Sequence, residues 1–168
     1  MSVTKDLQAF VLGYFEDNRI ELREIVNAVI ENQKRYYQDL DRVEVLRALD
    51  AILSKRDVLQ AISVAINLDE LAEQGLLLGP LQELVSNDYP FYGVDEGIAM
   101  LIGMENGPIA LSNFGFQDVV KSGVAKRLDE EQKKTGRVRT HIDDVVSALV
   151  SSTAAKVSHT RENIEENA

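Results

Sequence analysis

Apolar residues recur at spacings of three and four along nearly the whole chain, and that period commits it to helices. Val3, Leu7, Phe10, Val11 and Tyr14 form one stripe. Ile20, Leu22, Ile25, Val26, Val29 and Ile30 form a second, which ends at the polar run from Glu31 to Arg35. Val43, Leu46, Leu49, Ile52 and Leu53 make a third. Ser54 with Asp57 has capping-box spacing, so a fourth helix is expected near Lys55, running to about Glu73. Gly75, Gly79 and Pro80 then punctuate the chain, with a brief helical piece expected through Val85 and a loop from Ser86 to Gly93. A helix from Val94 to Met104 should stop before Gly107-Pro108, and a short helix should follow Ser112. Gln132 to Arg139 is polar and reads as loop, His141 to about His159 returns to helical period, and the tail from Arg161 is expected to fray.

Nowhere does period-two alternation persist long enough for a strand. The expected fold is therefore all-α, a single-domain multi-helix bundle over residues 1–160 with a frayed tail at 161–168. A chain of 168 residues can bury a core without staples. The runs LQAISVAINL and GVDEGIAMLIG are apolar on more than one face, which predicts that their helices lie at the centre with charged helices outside. The same apolar surplus predicts a homodimer.

Charge and composition exclude several functions. Eighteen basic against 28 acidic residues give a net charge of −10, which argues against nucleic acid as a partner. Without cysteine there is no disulfide, thiolate zinc site, iron–sulfur cluster or thiol nucleophile, and two histidines cannot furnish a histidine-rich metal site. No apolar run approaches the roughly 18 residues of a transmembrane helix, and MSVTKDLQAF lacks a signal-peptide layout. The expected location is cytoplasmic, or peripheral at the inner face of the membrane.

Three acidic features interrupt the most hydrophobic stretches of the second half: Asp95-Glu96, Asp118 and Asp143-Asp144. Carboxylates in apolar surroundings need partners or a cation. An oxygen-rich, sulfur-free set suits Mg²⁺, with Ca²⁺ as the other hard cation. Each feature also has a purely structural account. Thr140 and Asp143 have capping-box spacing, Asp118 can pair with Lys121, and Asp95-Glu96 can favour the start of a helix after Gly93. His141 reads as structural or solvent-facing, and His159 as part of a terminus. Between the last two acidic features lie Lys121, Lys126, Arg127, Lys133, Lys134, Arg137 and Arg139. A basic loop beside clustered carboxylates is what a metal-assisted phosphate enzyme requires, and it also suits an anionic membrane surface; the plain alternative is a solvated loop of mixed charge, since Asp129, Glu130 and Glu131 lie in the same segment.

At these residues the chain resembles the phosphatidylglycerophosphatase A family, most of all its short soluble branch. Val94-Asp95-Glu96-Gly97-Ile98-Ala99-Met100 is similar to the family's WDEFVGM-like segment, and Phe114 through Asp118 to Lys121, followed by Asp129, matches a Phe-x-x-x-Asp-x-x-Lys pattern. Ile142-Asp143-Asp144-Val145-Val146 matches the segment that opens the last helix, so the family-like core spans about residues 92–152. Gly115 and Ser122 stand where the family's usual second motif has arginine and proline, and no Gly-Thr-x-Gly-Ser-like loop precedes Asp95.

The resemblance implies an all-α, Mg²⁺-dependent phosphatase that hydrolyses phosphatidylglycerophosphate to phosphatidylglycerol and phosphate at a membrane surface. A soluble phosphomonoester is the other substrate class, and a non-catalytic binding or regulatory module the rival function. Asp95, Glu96, Asp143 and Asp144 carry over as the metal set. Asp118, Lys121 and Asp144 are the expected catalytic residues, with Lys121 receiving the phosphate and Asp118 either orienting Lys121 or joining the metal shell. A metal-bound hydroxide and an aspartyl-phosphate route are both open at this point.

Overall fold

A computed structural model describes residues 2–121 and 123–166. The described residues form nine helices and no strand: α1 (Val3–Asp17), α2 (Leu22–Gln33), α3 (Arg42–Ile52), α4 (Arg56–Glu73), α5 (Leu81–Ser86), α6 (Val94–Met104), α7 (Pro108–Val120), α8 (Gly123–Thr135) and α9 (Ile142–Glu166). The all-α expectation holds.

The centre of the bundle is α9, which packs against α2, α3, α4, α6, α7 and α8. Every residue from Val138 to Ala155 is buried. Its sequence did not advertise this position, because Ser147, Ser151, Ser152 and Thr153 interrupt the apolar pattern. These hydroxyls are accommodated by donating to carbonyls: Ser147 to Asp143 at 3.1 Å, Ser151 to Ser147 at 2.9 Å, and Thr153 to Leu149 at 2.7 Å. A buried polar group so bonded avoids most of its desolvation cost, and its small size lets neighbouring helices approach from every side.

The two runs expected at the centre are instead one-sided. In α4, Val58, Leu59, Ile62, Ala65 and Ile66 face inward, while Val64 is half exposed. In α6, Ile98, Ala99 and Ile102 face α9's side of the bundle, while Val94, Met100, Leu101 and Met104 remain open to solvent. Gly103 of α6 lies so near α7 that a methyl group there would meet Leu111 at 3.0 Å, which explains the small residue at this crossing.

Local signals were mostly sound at helix starts and less so at their caps. Pro108 opens α7 at a first-turn position where its missing N–H costs nothing, five residues earlier than the expected start after Ser112. The Ser54 cap does not form: Lys55 is the N-cap, and the Ser54 hydroxyl donates back to Asp50 at 2.7 Å. The polar stretch expected as loop is helical through Thr135, supported by i,i+4 pairs of Lys133 with Asp129 (2.7 Å) and Lys134 with Glu130 (2.9 Å). At the far end α9 continues past Arg161 to Glu166, where fraying was expected. Arg161 is held by Asp39 at 2.8 Å and Glu44 at 2.7 Å. Residues 167 and 168 lie outside the described residues.

Candidate functional site

Three helix ends converge beside the N-terminus of α9. The first turn of α6 brings Asp95 and Glu96, the last residues of α7 bring Asp118 and lead into Lys121, and the first turn of α9 brings Asp143 and Asp144. Gly93 makes the entry to α6 possible: it is the N-cap residue at φ +67°, a conformation that costs a residue with a Cβ. Lys121 has φ +33° and Asp88, in the loop before α6, has φ +48°. Non-glycine residues held this way concentrate at functional sites, at a cost of about 1–3 kcal/mol each.

Asp95, Glu96 and Asp144 each offer a carboxylate oxygen within 4.8 Å of the others. Asp143, the fourth residue of the expected metal set, turns aside from this trio. Its Oδ2 accepts from Lys121 Nζ at 2.6 Å and its Oδ1 from the Asp144 N–H at 2.9 Å. Lys121 also lies 3.7 Å from Asp144 and 3.8 Å from Asp118, and Asp118 is hydrogen-bonded to Asp144. The structure therefore brings all six sequence-expected residues into one cluster, five carboxylates around a single lysine.

That imbalance dominates the electrostatics. Burial, with Asp143 and Asp118 close by, pushes the Asp144 carboxyl up to about 10. Burial and a hydrogen bond with Glu96 push Asp95 up to about 8, while the same hydrogen bond holds Glu96 below its ordinary value. Burial raises Asp143 as well, against the pull of Lys121. For Lys121, partial burial opposes the charge, but Asp143, Asp144 and Asp118 outweigh it and raise its pKa. One lysine is too little charge for five acids, so protons are retained between them. Glu96 Oε2 is buried without a hydrogen-bond partner. An orphaned carboxylate oxygen within an all-oxygen donor set fits a hard divalent cation.

The capping box at Thr140 and Asp143 does not exist as such. The Thr140 hydroxyl donates to Val85 O at 2.6 Å, and Asp69 from α4 caps α9 instead. Its carboxylate accepts the N–H of His141 at 3.1 Å, the N–H of Ile142 at 3.0 Å, and His141 Nδ1 at 2.7 Å. His141 Nε2 faces the Tyr92 hydroxyl at 2.9 Å. His141 is thus structural, as one of the two readings had it, and fully buried. Asp69 and Tyr92 were missed from sequence. A signal for Asp69 was present, since it occupies the inward stripe Val58, Ile62, Ala65, Ile66, Asp69, where a carboxylate needs a reason.

The basic segment does not form the expected anion-holding loop. Arg127 donates to Arg19 O at 2.6 Å, and Lys134 is bound to Glu130. Arg137 pairs with Glu73 and Glu131, and buried Arg139 donates to Tyr14 at 3.0 Å and Asn18 at 2.8 Å. Lys133 is paired with Asp129, though close enough to act on Asp88. Lys121 is the member of that set whose ion pairs lie within the acidic cluster.

The match to known proteins covers this whole arrangement. The chain is 35% identical over 159 residues to the uncharacterized protein YutG of Bacillus subtilis, covering 95% of each, and 33% identical over 166 residues to YpjQ of the same organism, covering 99% of this chain and 88% of YpjQ. The crystal structure of YpjQ superposes with a TM-score of 0.90 at 32% identity, over 97% of this chain and 99% of that one. The crystal structure of the low temperature requirement C protein of Listeria monocytogenes does so with a TM-score of 0.88 at 31% identity, over 93% and 97%. The family described as phosphatidylglycerophosphatase A matches residues 24–159, a span that contains every residue of the cluster, and the chain belongs to that family.

Proposed function

We propose that this protein is a metal-dependent phosphomonoester hydrolase of the phosphatidylglycerophosphatase type, with phosphatidylglycerophosphate as substrate and phosphatidylglycerol and inorganic phosphate as products. The observation that carries the reading is the oxygen trio of Asp95, Glu96 and Asp144, with Glu96 Oε2 buried and unpartnered, inside the span matched by the family. Among the described residues no helix is long and apolar enough to cross a membrane, so the enzyme meets its lipid from the surface.

In this reading Asp95, Glu96 and Asp144 hold Mg²⁺. When bound, the cation supplies charge neutralisation at the phosphoryl oxygens and lowers the pKa of a coordinated water. Asp143 fixes Lys121 through the 2.6 Å ion pair, so that the ammonium is positioned to meet the phosphate of the ester. Asp118, bonded to Asp144 and 3.8 Å from Lys121, sets both in place. Hydrolysis breaks the bond between phosphorus and the ester oxygen, water supplies the new oxygen, and of the two protons of that water one passes to the leaving alcohol oxygen and the other stays with the phosphate.

A second reading is a non-catalytic helical module that retains the cluster as a vestige. The lack of a Gly-Thr-x-Gly-Ser-like loop before Asp95 favours it. The deciding experiment measures phosphate release from phosphatidylglycerophosphate in mixed micelles with and without Mg²⁺, beside soluble phosphomonoesters. Mg²⁺-dependent release from the lipid supports the proposal. Release from a soluble ester alone keeps the chemistry and replaces the substrate, and no release from any compound favours the binding module.

A further inference from the structure

The outer face of the α6–α7 hairpin is an apolar surface outside the acidic cluster that the proposed function leaves unexplained. Val94, Met100, Leu101 and Met104 on α6, with Ile109, Phe116, Val119 and Val120 on α7, are between 41% and 83% exposed. Together they leave on the order of 800 Å² open, close to what each partner contributes to a standard interface, and far more than scattered surface apolar residues require. Among the other exposed apolar side chains, Val3, Val43 and Val64 are spread over separate helices, and Leu76, Leu78, Tyr89 and Phe91 lie in the connections on either side of α5.

Charge makes this face different from the rest of the molecule. From Gly97 to Val120 the sequence holds two acidic residues, Glu105 and Asp118, and no lysine or arginine, in a chain whose net charge is −10. Two copies approaching through most other surfaces bring like charges together; along α6 and α7 they do not, and the groove that Ile109 and Phe116 line at the α7 flank carries both signs, Glu31 and Glu162 beside Lys34 and Arg35. Glycine supplies a further argument. Gly97 and Gly115 sit in the middles of α6 and α7, both exposed, and a Cβ at either would meet nothing within 4 Å. Mid-helix glycine weakens a helix relative to alanine, and nothing within this chain needs the missing methyl. Close approach of a second backbone does.

We propose that the α6–α7 face, centred on Gly97, Met100, Met104, Gly115 and Phe116, is the self-complementary interface of a two-fold symmetric dimer of this chain. A second copy satisfies each observation at once: it is apolar where this face is apolar, uncharged where this face is uncharged, and matched to it in size. A lipid leaflet fits less well. Bacterial leaflets are anionic, and stable attachment through an apolar patch ordinarily takes a basic patch beside it, which residues 94–120 lack. The inference does not rest on the phosphatase reading.

The test is the solution mass of the full chain by sedimentation equilibrium, with Met104→Glu and Phe116→Glu as interface variants and Val64→Glu as a control on α4. The wild type and the control are expected at about twice 18.7 kDa, and the two interface variants at 18.7 kDa with unchanged helical circular dichroism. Because the chain has no cysteine, Met104→Cys supplies a single thiol, and a short bismaleimide should link two such chains while leaving a Val64→Cys chain unlinked. That measurement stands even if a charge variant fails to fold. A monomeric wild type, a dimer that survives both charge variants, or linking at residue 64 in place of 104 overturns the proposal. So does a monomer that floats with neutral phosphatidylcholine vesicles and loses this on Met104→Glu, which would assign the face to lipid.

Discussion

Asp69 and Asp144 are both buried aspartates at the same end of α9, with 1% and 3% of their surface exposed, and they are opposites in every other respect. Asp69 is surrounded by donors: two backbone N–H groups at the helix start and the His141 ring. Asp144 is surrounded by acids, with Asp143 and Asp118 at hand and its proton retained as a result. Burial alone therefore does not mark a functional carboxylate. What marks it is burial with too little compensation, because an acid crowded by other acids, with one lysine at 3.7 Å shared among them, has no reason to persist in a core unless a cation or a proton completes it.

For the phosphatase proposed above, the largest effect is on turnover. Asp144→Asn keeps the shape and removes the charge, so Mg²⁺-dependent phosphate release should fall by about 10³-fold or more, equivalent to about 4 kcal/mol of lost transition-state stabilisation. The metal-free protein should lose little stability, since Asp144 holds its proton there and the amide replaces an already neutral carboxyl of the same shape. Steady-state kinetics and thermal denaturation of the same preparation check both halves. Turnover retained in this variant breaks the functional half of the comparison.

Asp69→Ala should show the reverse pattern, a loss of fold. It strands the His141 and Ile142 N–H groups and the His141 ring in a dry environment, at a cost of about 3–5 kcal/mol. In a chain of this size each kcal/mol moves Tm by about 2–4 °C. Urea denaturation measures the change directly, and Asp69→Asn, which keeps one acceptor oxygen, should lose less. A cost below about 1 kcal/mol would make Asp69 no anchor at all.

This asymmetry also explains what could be read in the sequence. The helices were legible because three-and-four spacing records burial directly, and Asp95, Glu96, Asp118, Asp143 and Asp144 were legible because charge interrupts that spacing. The central place of α9 was not legible, since Ser147 and Ser151 satisfy themselves against its own carbonyls and look polar in a list of residues. Nor was the fate of the basic segment. Which carboxylates Arg137 and Arg139 reach depends on α1, α4 and α8 meeting in space, and no local pattern encodes that. Asp69 fell between these cases, on the core stripe of α4 but with its partners 72 and 73 residues away.

On the acid-crowded side of the comparison, pH has a direct effect. Asp95 and Asp144 hold their protons to about 8 and about 10 in the folded chain, well above the values of an unfolded one. Between about pH 4 and those values the native state binds more protons than the unfolded state, so stability is fully present below about pH 4 and is lost as pH rises through the folded pKa. Each such group contributes a slope of up to about 1.4 kcal/mol per pH unit. A bound cation replaces the protons, so the Tm gained on adding Mg²⁺ should be small at about pH 5 and larger at about pH 9. Differential scanning fluorimetry across that range checks it, and Asp144→Asn should flatten the metal-free slope. A Mg²⁺ effect independent of pH would mean that the cation binds elsewhere.

The smallest effect sharpens the Asp69 side. Tyr92→Phe removes the hydroxyl 2.9 Å from His141 Nε2 while keeping the ring, which meets the imidazole edge-on with centroids 5.4 Å apart. One hydrogen bond of this kind is worth about 0.5–1.5 kcal/mol, a Tm change at the edge of easy measurement, so the informative quantity is its coupling to Asp69. If Asp69 fixes the imidazole and the imidazole fixes Tyr92, the loss caused by Tyr92→Phe should shrink when Asp69 is already alanine. A double-mutant cycle from urea denaturation reads that difference. Additive losses would mean that Tyr92 is held by its packing alone, and that the chain from α4 through His141 to the loop before Asp95 ends at the histidine.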